Sequence, residues 1–164
     1  MKKQLAKFAL TAVLGLALTL TLNACEEKGG GIKTVKIGEQ VWMAENLNID
    51  LPGSMCYNSE PDNCKKYARV YEWETAMKAC PSGWHLPSKN EWDKLKDFAD
   101  GEPEKLKPVF GHSNSRAEMW WTATESGDDG MAYSYSLVNL LEDDISYVGN
   151  SAKFAGYFVR CIQN

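Results

Sequence analysis

The sequence predicts an α+β domain in which helices precede antiparallel strands and two disulfides hold the chain together. Three observations lead to this prediction. Ser88-Lys89-Asn90-Glu91 has the form of a helix-capping box, and alternating apolar and polar residues recur in the last third of the chain. An even set of four cysteines follows Cys25. Helices followed by a run of strands are typical of the α+β class.

The first residues have the parts of a bacterial secretory signal. Two lysines precede a mostly apolar run from about Leu5 to Leu22, and Lys7 within it makes the run a poor permanent membrane span. Leu22-Asn23-Ala24-Cys25 resembles the lipobox, in which the cysteine is lipidated and becomes the first mature residue. The alternative is an ordinary secretory signal that is followed by a cysteine. We expect a signal peptide over residues 1–24 and a lipid anchor on Cys25.

The anchor leads into a short tether. Residues 25–33 contain two acidic residues and three glycines, which cannot pack a core. In some bacterial groups, acidic residues at this place resemble a signal for display on the outer membrane surface, and solvated linker charge is the alternative. We therefore predict a cell-envelope protein, held at the outer membrane by lipid, with one domain over residues 34–164.

The net charge of the chain argues against two classes of partner. The net charge is −4, and removal of the three lysines of residues 1–24 would make it −7. Such a charge argues against nucleic acid and against an anionic lipid surface as partner. It is compatible with metal cations or neutral sugars.

Once Cys25 is assigned to lipid, four cysteines remain for disulfides in an oxidising compartment. Cys56 and Cys64 flank a turn-rich stretch whose ends meet at little entropic cost. We therefore pair Cys56 with Cys64 and Cys80 with Cys161. A metal or redox site is the competing interpretation, but no two of these cysteines have C-x-x-C spacing.

The first elements are a hairpin, a strand and a helix. Residues 34–43 contain two short alternating runs around Gly38-Glu39, which predicts a β-hairpin. Residues 69–71 form a candidate strand. Residues 72–79 predict a helix whose inward face carries residues at helical spacing, namely Trp73, Ala76, Met77 and Cys80.

The capping box predicts a second helix from Ser88 to about Ala99. The Ser88 side chain can accept from the Glu91 amide while the Glu91 carboxylate reaches back to the Ser88 amide. Gly101 is suited to end this helix. The side chains expected to face inward are those of Trp92, Leu95 and either Phe98 or Ala99.

The last third of the chain predicts strands. Residues 120–124 have the composition of a buried strand, and residues 132–137 alternate apolar with small polar residues, as a half-buried strand does. Residues 145–148 and 157–161 supply two more. Antiparallel pairing of these strands, with the two helices, gives the α+β arrangement.

Five motifs follow one another along the chain. They are TVKIGEQVWMAEN at 34–46, the cysteines at 56 and 64, ACPSGWHLPS at 79–88 with Glu91-Trp92, WWTATE at 120–125, and GYFVRC at 156–161. Their order resembles the Fibrobacter succinogenes major paralogous domain, a group of bacterial surface and secreted modules. More distantly, the chain resembles the sulfatase-modifying fold, a variant of the C-type lectin-like fold. The resemblance implies two helices packed on a twisted antiparallel sheet with long loops. It also implies a long-range bridge similar to Cys80–Cys161.

The resemblance implies no activity. Sulfatase-modifying enzymes need a reactive cysteine pair, whereas Cys80 and Cys161 are interpreted as a structural bridge. Calcium-dependent lectins use Glu-Pro-Asn or Gln-Pro-Asp together with Trp-Asn-Asp. This chain has Glu60-Pro61-Asp62 inside the small disulfide loop, and Trp120-Trp121-Thr122 at the place of the second motif. Sugar binding at the standard lectin site therefore does not follow.

Acidic loops are the candidate metal site. Oxygen ligands and glycines in the loop 125–130 suit calcium, and the acidic run 142–144 lies in the next loop. Two solvated loops on an acidic protein are the favoured alternative. The candidate calcium ligands are Glu125, Asp128, Asp129, Asp143 and Asp144.

Aromatic residues divide into expected core and candidate ligand-binding positions. At least four of five tryptophans at patterned positions should be core, namely Trp73, Trp84, Trp92, Trp120 and Trp121. The freer rings, which would suit stacking on sugars, are Trp42, Tyr57, Tyr133, Tyr135 and Tyr147. Of the remaining polar residues, His85 is expected to be hydrogen-bonded to backbone, His112 to be exposed, and Arg160 to pair with a carboxylate.

These observations favour a non-catalytic, lipid-anchored surface module that binds a polysaccharide or a partner protein through its loops. A purely structural envelope lipoprotein is the second hypothesis. An enzyme of the sulfatase-modifying fold is the third, because the sequence offers no nucleophile with a matching base.

Overall fold

The computed structural model describes residues 31–99, 106, 110, 118–137 and 147–164, and at residues 137, 147 and 148 it describes the backbone alone. All described elements belong to the unit Gly31–Asn164. Within these residues, no helix has the length and apolar character needed to cross a membrane. The predicted signal peptide, Cys25 and most of the tether lie outside the described residues, as do His112, Asp143 and Asp144.

The architecture is α+β, as predicted. The described residues contain three α-helices and nine strands. Their order is β1 (Thr34–Ile37), β2 (Gln40–Met43), β3 (Ser54–Cys56), α1 (Pro61–Tyr67), β4 (Arg69–Tyr71), α2 (Trp73–Ala79), β5 (Trp84–His85), α3 (Lys89–Ala99), β6 (Glu118–Glu125), β7 (Met131–Leu137), β8 (Tyr147–Ala152) and β9 (Ile162–Gln163).

The strands form three antiparallel sheets. In the first, the order is β1-β2-β9-β5, so the last strand lies between β2 and β5. The predicted hairpin is confirmed, with Ile37 opposite Gln40 and Gly38 in the left-handed region at φ 58°. The second sheet pairs β3 with β4, and the third has the order β6-β7-β8.

The segment 157–161 joins these sheets, and here the sequence prediction of a regular strand is wrong. Regular pairing begins only at Ile162, whereas Tyr157 and Phe158 form single bridges to Tyr71 and Trp120. Instead, the backbone of this segment makes hydrogen bonds on two sides. Val159 and Cys161 accept from the amides of Leu47 and Met43, and Phe158 exchanges hydrogen bonds with β6. One segment thereby connects the loop after β2 to the third sheet.

Two of the helices were predicted and one was not. The capping box of α3 is confirmed, because the Ser88 amide donates to Glu91 Oε2 at 2.8 Å and the Glu91 amide donates to Ser88 Oγ at 3.3 Å. Ala99, and not Phe98, is the buried alternative. The prediction of the inward face of α2 is wrong at Met77, which is 42% exposed. Ala79 is buried instead. Helix α1 begins inside the small disulfide loop, in a stretch for which the sequence predicted a turn, and continues to Tyr67.

The core is rich in aromatic rings. Trp92 on α3 stacks on Tyr135 at 5.1 Å between ring centroids and contacts Trp42 at 4.9 Å. The tryptophan prediction is confirmed, since four of the five are buried and Trp84 is half-buried. Strand β7 differs from the half-buried prediction, because Ser134 and Ser136 on its polar side are buried as well. Ser134 satisfies its hydroxyl by a 2.8 Å hydrogen bond to the hydroxyl of Ser151.

Both predicted disulfides are present. Cys56 is bonded to Cys64 across a sequence separation of 8, and Cys80 to Cys161 across 81. The first links the end of β3 to α1. The second links the end of α2 to the segment that carries Arg160.

Candidate functional site

The candidate site is a cleft of about 630 Å³ beside the loop that follows β2. One wall is formed by Ala44, Glu45, Asn46 and Asn48 of the loop after β2, and the other by residues 64–68 at the end of α1. Arg160 and Glu118 lie at its floor and are 5% and 6% exposed. A cavity of this volume lies within the usual range of small-ligand sites, roughly 300–1,000 Å³.

The floor is assembled by the segment 157–161. Its backbone bonds to the loop after β2 on one side and to β6 on the other, which places Arg160 between Asn46 and Glu118. Asn46 Oδ1 accepts from Arg160 Nε at 3.0 Å and from Arg160 Nη2 at 2.7 Å. The same oxygen accepts from Trp120 Nε1 at 2.8 Å, and Arg160 Nη1 donates to the Ala44 carbonyl at 3.1 Å.

The floor therefore contains a buried positive charge with a fixed orientation. Burial lowers the pKa of the Arg160 guanidinium to about 10, against the opposing effect of the Glu118 and Glu45 carboxylates. The guanidinium carbon also lies 5.1 Å from the centroid of the Phe110 ring and 6.0 Å from that of Trp120. Arg160 remains charged at neutral pH, and its charge is poorly screened by water.

The rim is charged and more exposed than the floor. Lys33 Nζ lies 2.7 Å from Glu45 Oε1, with both side chains about 70% exposed. Hydrogen bonding and charge from Glu45 raise the pKa of Lys33. On the opposite wall, Lys66 Nζ lies 4.7 Å from the centroid of the Tyr67 ring. An exposed ion pair such as Lys33–Glu45 contributes little to stability.

Helix α1, which carries one side of the rim, is held in place by two contacts. The disulfide to Cys56 closes its base, and the Asn48 side chain donates to the Cys64 carbonyl at 2.9 Å. The helix then ends at Ala68, which has φ 74° and ψ −174°. This backbone region is populated almost only by glycine. The strain is borne by a residue that lines the cleft, as is common at functional sites.

A second polar cluster surrounds His85. Its Nε2 lies 2.9 Å from Glu91 Oε1 and its Nδ1 lies 2.8 Å from Asn164 Oδ1, so its partners are side chains and the expectation of backbone partners is wrong. Ser88 Oγ donates to Glu91 Oε2 at 2.8 Å. Serine and histidine thus both bond the carboxylate and not each other, which is the geometry of a helix cap and not of a nucleophile with its base.

Hydrogen bonding in this cluster favours the ionised form of the Glu91 carboxyl. Burial opposes ionisation of the carboxyl, but the hydrogen bonds from the Ser88 amide and hydroxyl and from His85 outweigh it. The pKa of Glu91 therefore lies below its ordinary value. The cluster stabilises the start of α3.

The predicted ligand-binding rings do not come together. Trp42 and Tyr135 are 0% and 1% exposed, so the expectation that their rings are free is wrong: both pack on Trp92 in the core. Alternation along a strand does not tell a solvent face from a second buried face. Tyr133 is half-buried. Tyr57 is 41% exposed and meets the Tyr67 ring edge-on, with 6.1 Å between the ring centroids. The side chain of Tyr147 lies outside the description.

The acidic loop makes other contacts. Glu125 pairs with Lys153 at 3.2 Å, and Asp128 accepts a hydrogen bond from Asn150. Asp129 is exposed. Among the described residues, no three cysteine, histidine or acidic side chains are grouped to hold a metal ion. Calcium binding that involves Asp143 and Asp144 stays a prediction.

Sequence reasoning missed Asn46, Glu118 and Ala68 as site residues. Asn46 and Arg160 each lie in a motif that carries the family resemblance, but 114 residues separate them. Their contact depends on how the segment 157–161 crosses the loop after β2, which local patterns do not report. The one available signal was Arg160, the single charged residue in the motif at 156–161.

The described residues define a disulfide-bonded α+β domain with a charged cleft. The family model of the Fibrobacter succinogenes major domain matches residues 35–112, and the chain carries a domain of this family. The resemblance seen in the sequence is confirmed. No curated protein and no solved structure matches the chain. The family description names no ligand or activity, and the matched residues contain both walls of the cleft but not Glu118 or Arg160.

Proposed function

We propose that this protein is a non-catalytic, lipid-anchored module of the cell envelope that binds a ligand, a polysaccharide or a protein, in the cleft. The observation that carries the proposal is the buried Arg160 at the cleft floor, oriented by Asn46. A buried charge is costly to the fold. Its retention beside an open cavity is explained if the charge acts on a bound ligand.

A C-type lectin-like arrangement is part of the proposal. It is supported by the α+β class, by the two helices α2 and α3, and by the long-range disulfide between Cys80 and Cys161. The cleft would then replace the standard lectin site, whose motifs the chain lacks. Ligand binding through loops at one end of a lectin-like domain is consistent with a cleft between a loop and a short helix.

Cysteine pairing supports a non-catalytic role. An enzyme of the sulfatase-modifying kind needs two reactive thiols, and the four cysteines among the described residues form two disulfides. Titration of thiols in the native full chain tests this point. No reactive thiol is expected, and two reactive thiols would favour the enzyme hypothesis instead.

The anchor is tested by metabolic labelling of cells with an alkyne-bearing fatty acid. Cells that produce the full chain should incorporate the label into the protein, whereas Cys25→Ala should abolish incorporation. Cys56→Ser is a matched control, since it removes a different cysteine and should retain the label. Equal labelling of the wild-type chain and Cys25→Ala would contradict the anchor.

Ligand binding is tested on a glycan array with the full chain, produced through its own export signal and purified in non-ionic detergent, with and without calcium. Ala44→Trp places a bulky ring in the cleft. Lys78→Trp places the same ring on the exposed face of α2. We expect the first to abolish binding and the second to retain it. The melting temperature checks that Ala44→Trp is folded, and Lys65→Trp on the rim serves if it is not. Silence of the wild-type chain on every glycan would remove the polysaccharide hypothesis and favour the structural one.

A further inference from the structure

The charge of the cleft is opposite to that of the chain. Four cationic side chains line it against two acidic ones, namely Lys33, Lys65, Lys66 and Arg160 against Glu45 and Glu118. The chain as a whole carries a net charge of −4. A locally positive concavity on an acidic protein attracts anions, because low-dielectric walls focus the field of the charges within it.

Resting on the ligand-binding function above, we propose that the cleft binds an acidic polysaccharide through the carboxylate of a uronate residue. The amides of Asn46 and Asn48 and the ring of Tyr67 also line the cleft. Amides suit sugar hydroxyls, and an aromatic ring suits the apolar face of a pyranose. The combination of cations, amides and one ring in about 630 Å³ fits a short segment of such a chain.

At the floor, the attraction comes from a charge that water does not screen. Arg160 is held in place by Asn46 and by the Ala44 carbonyl, so it acts on the ligand through its charge. Glu118 and Glu45 reduce this field without cancelling it, because the three lysines of the rim add to it. An anion that displaces water from the cleft would strengthen the interaction further.

At the rim, Lys66 is the side chain best placed to contact the carboxylate. Among the residues that the structure describes, no carboxylate lies within ion-pair distance of Lys66, which rests on the Tyr67 ring. Lys65 and Lys33 are held only by exposed pairs, with Asp62 at 3.2 Å and Glu45 at 2.7 Å. Such pairs exchange readily for a ligand anion.

The test is calorimetric titration of the full chain in non-ionic detergent with trisaccharides of galacturonate, mannuronate and glucuronate. At least one should bind, with an affinity that falls about tenfold or more between low and high salt. Its methyl ester, which has the same ring size and no charge, should bind at least tenfold more weakly. Inorganic phosphate at the same concentration should not bind comparably.

Two variants test whether the carboxylate of the ligand binds at Lys66. Lys66→Gln should weaken binding of the acidic trisaccharide about fivefold or more without changing binding of its methyl ester. Lys78→Gln, an equal loss of charge on exposed α2, should leave binding unchanged. Equal binding of acid and ester, equal effects of the two variants, or comparable binding of phosphate alone would overturn the inference while leaving a ligand-binding cleft in place. Absence of binding by every acidic trisaccharide would overturn it as well, and the glycan array decides separately whether the cleft binds another ligand.

Discussion

Asn46 is the residue that ties the cleft floor to the core. Its side-chain oxygen accepts from the Trp120 indole and from two nitrogens of Arg160. Each of these donors is buried or nearly so. Hydrogen bonds to a buried charged donor contribute more than neutral ones, and loss of the acceptor leaves that donor unsatisfied.

Substitution Asn46→Ala should therefore lower the free energy of unfolding by about 2–4 kcal/mol. The measurement is urea denaturation followed by tryptophan fluorescence. Asn48→Ala is the matched control, since exposed Asn48 makes one hydrogen bond to the Cys64 carbonyl, and its cost should be about 1 kcal/mol or less. Equal costs for the two substitutions would contradict the role given to Asn46.

Ala68 carries backbone strain at the rim of the cleft. Its φ of 74° and ψ of −174° lie in a region that costs a residue with a Cβ atom on the order of 1–3 kcal/mol. Ala68→Gly removes the clash, although glycine loses more conformational entropy on folding. We expect a net stabilisation of about 1 kcal/mol, measured by denaturation. Ala76→Gly, inside helix α2, should destabilise instead. Destabilisation by both substitutions would show that Ala68 is not strained.

At the scale of elements, the start of α3 links stability to pH. The folded-state pKa of Glu91 lies below its ordinary value of 4.5. Ionisation of Glu91 thus contributes stability that is fully present above that value and is lost as pH falls through the lowered folded-state pKa. The hydrogen bonds from Ser88 and His85, which outweigh burial of the carboxyl, are the cause.

Ser88→Ala should then cost about 1 kcal/mol near neutral pH, because it removes one acceptor and one donor of the cap. The cost should shrink at a pH below the lowered folded-state pKa of Glu91, where the carboxyl is protonated in both folded and unfolded chains. Denaturation midpoints at the two pH values give the comparison. Ser82→Ala, on an exposed turn, should change stability by no more than about 0.5 kcal/mol at either pH. A cost for Ser88→Ala that grows on acidification would be inconsistent with this linkage.

The two disulfides differ in what they hold. Cys56–Cys64 closes a short loop and fixes α1, so the double substitution to serine should cost about 2–3 kcal/mol. Cys80–Cys161 closes a separation of 81 residues and should be worth about 4–5 kcal/mol. Urea denaturation of the two double variants tests which disulfide contributes more to the free energy of unfolding. Loss of the short bridge should also weaken ligand binding, because Lys65, Lys66 and Tyr67 lie on α1. A larger cost for the short bridge would contradict this account.

Sequence patterns predicted elements well where the cause is local. The turn at Gly38 and the cap at Ser88 each depend on residues within four positions, and both are confirmed. Patterns failed where packing by distant residues decides. Trp42 was expected to be free but lies under Trp92, and the segment 157–161 exchanges its hydrogen bonds with two different parts of the chain. The cleft shares this property, since Asn46, Glu118 and Arg160 meet only in the folded domain.

On the scale of the whole molecule, the cleft lies close to the proposed anchor along the chain. Lys33 lines the cleft, and Lys33 also accepts the Ala44 amide through its carbonyl at 2.8 Å. Lys33 lies eight positions after Cys25, and a fully extended chain covers about 30 Å at most over eight residues. If Cys25 is lipidated, the ligand is bound near the membrane surface. An acidic polymer bound there would be retained at the cell envelope.

The central claim is that ligand binds in the cleft, and side-chain NMR tests it most directly. In the ¹⁵N-labelled full chain, the Arg160 Nε–H and the amide groups of Asn46 and Asn48 report on the cleft, while backbone amides of residues 125–131 report on the acidic loop. On titration with an acidic trisaccharide, the cleft signals should shift together and saturate with one dissociation constant, and the loop signals should stay in place. Shifts centred on the acidic loop, with the Arg160 Nε–H unchanged at saturation, would contradict the account.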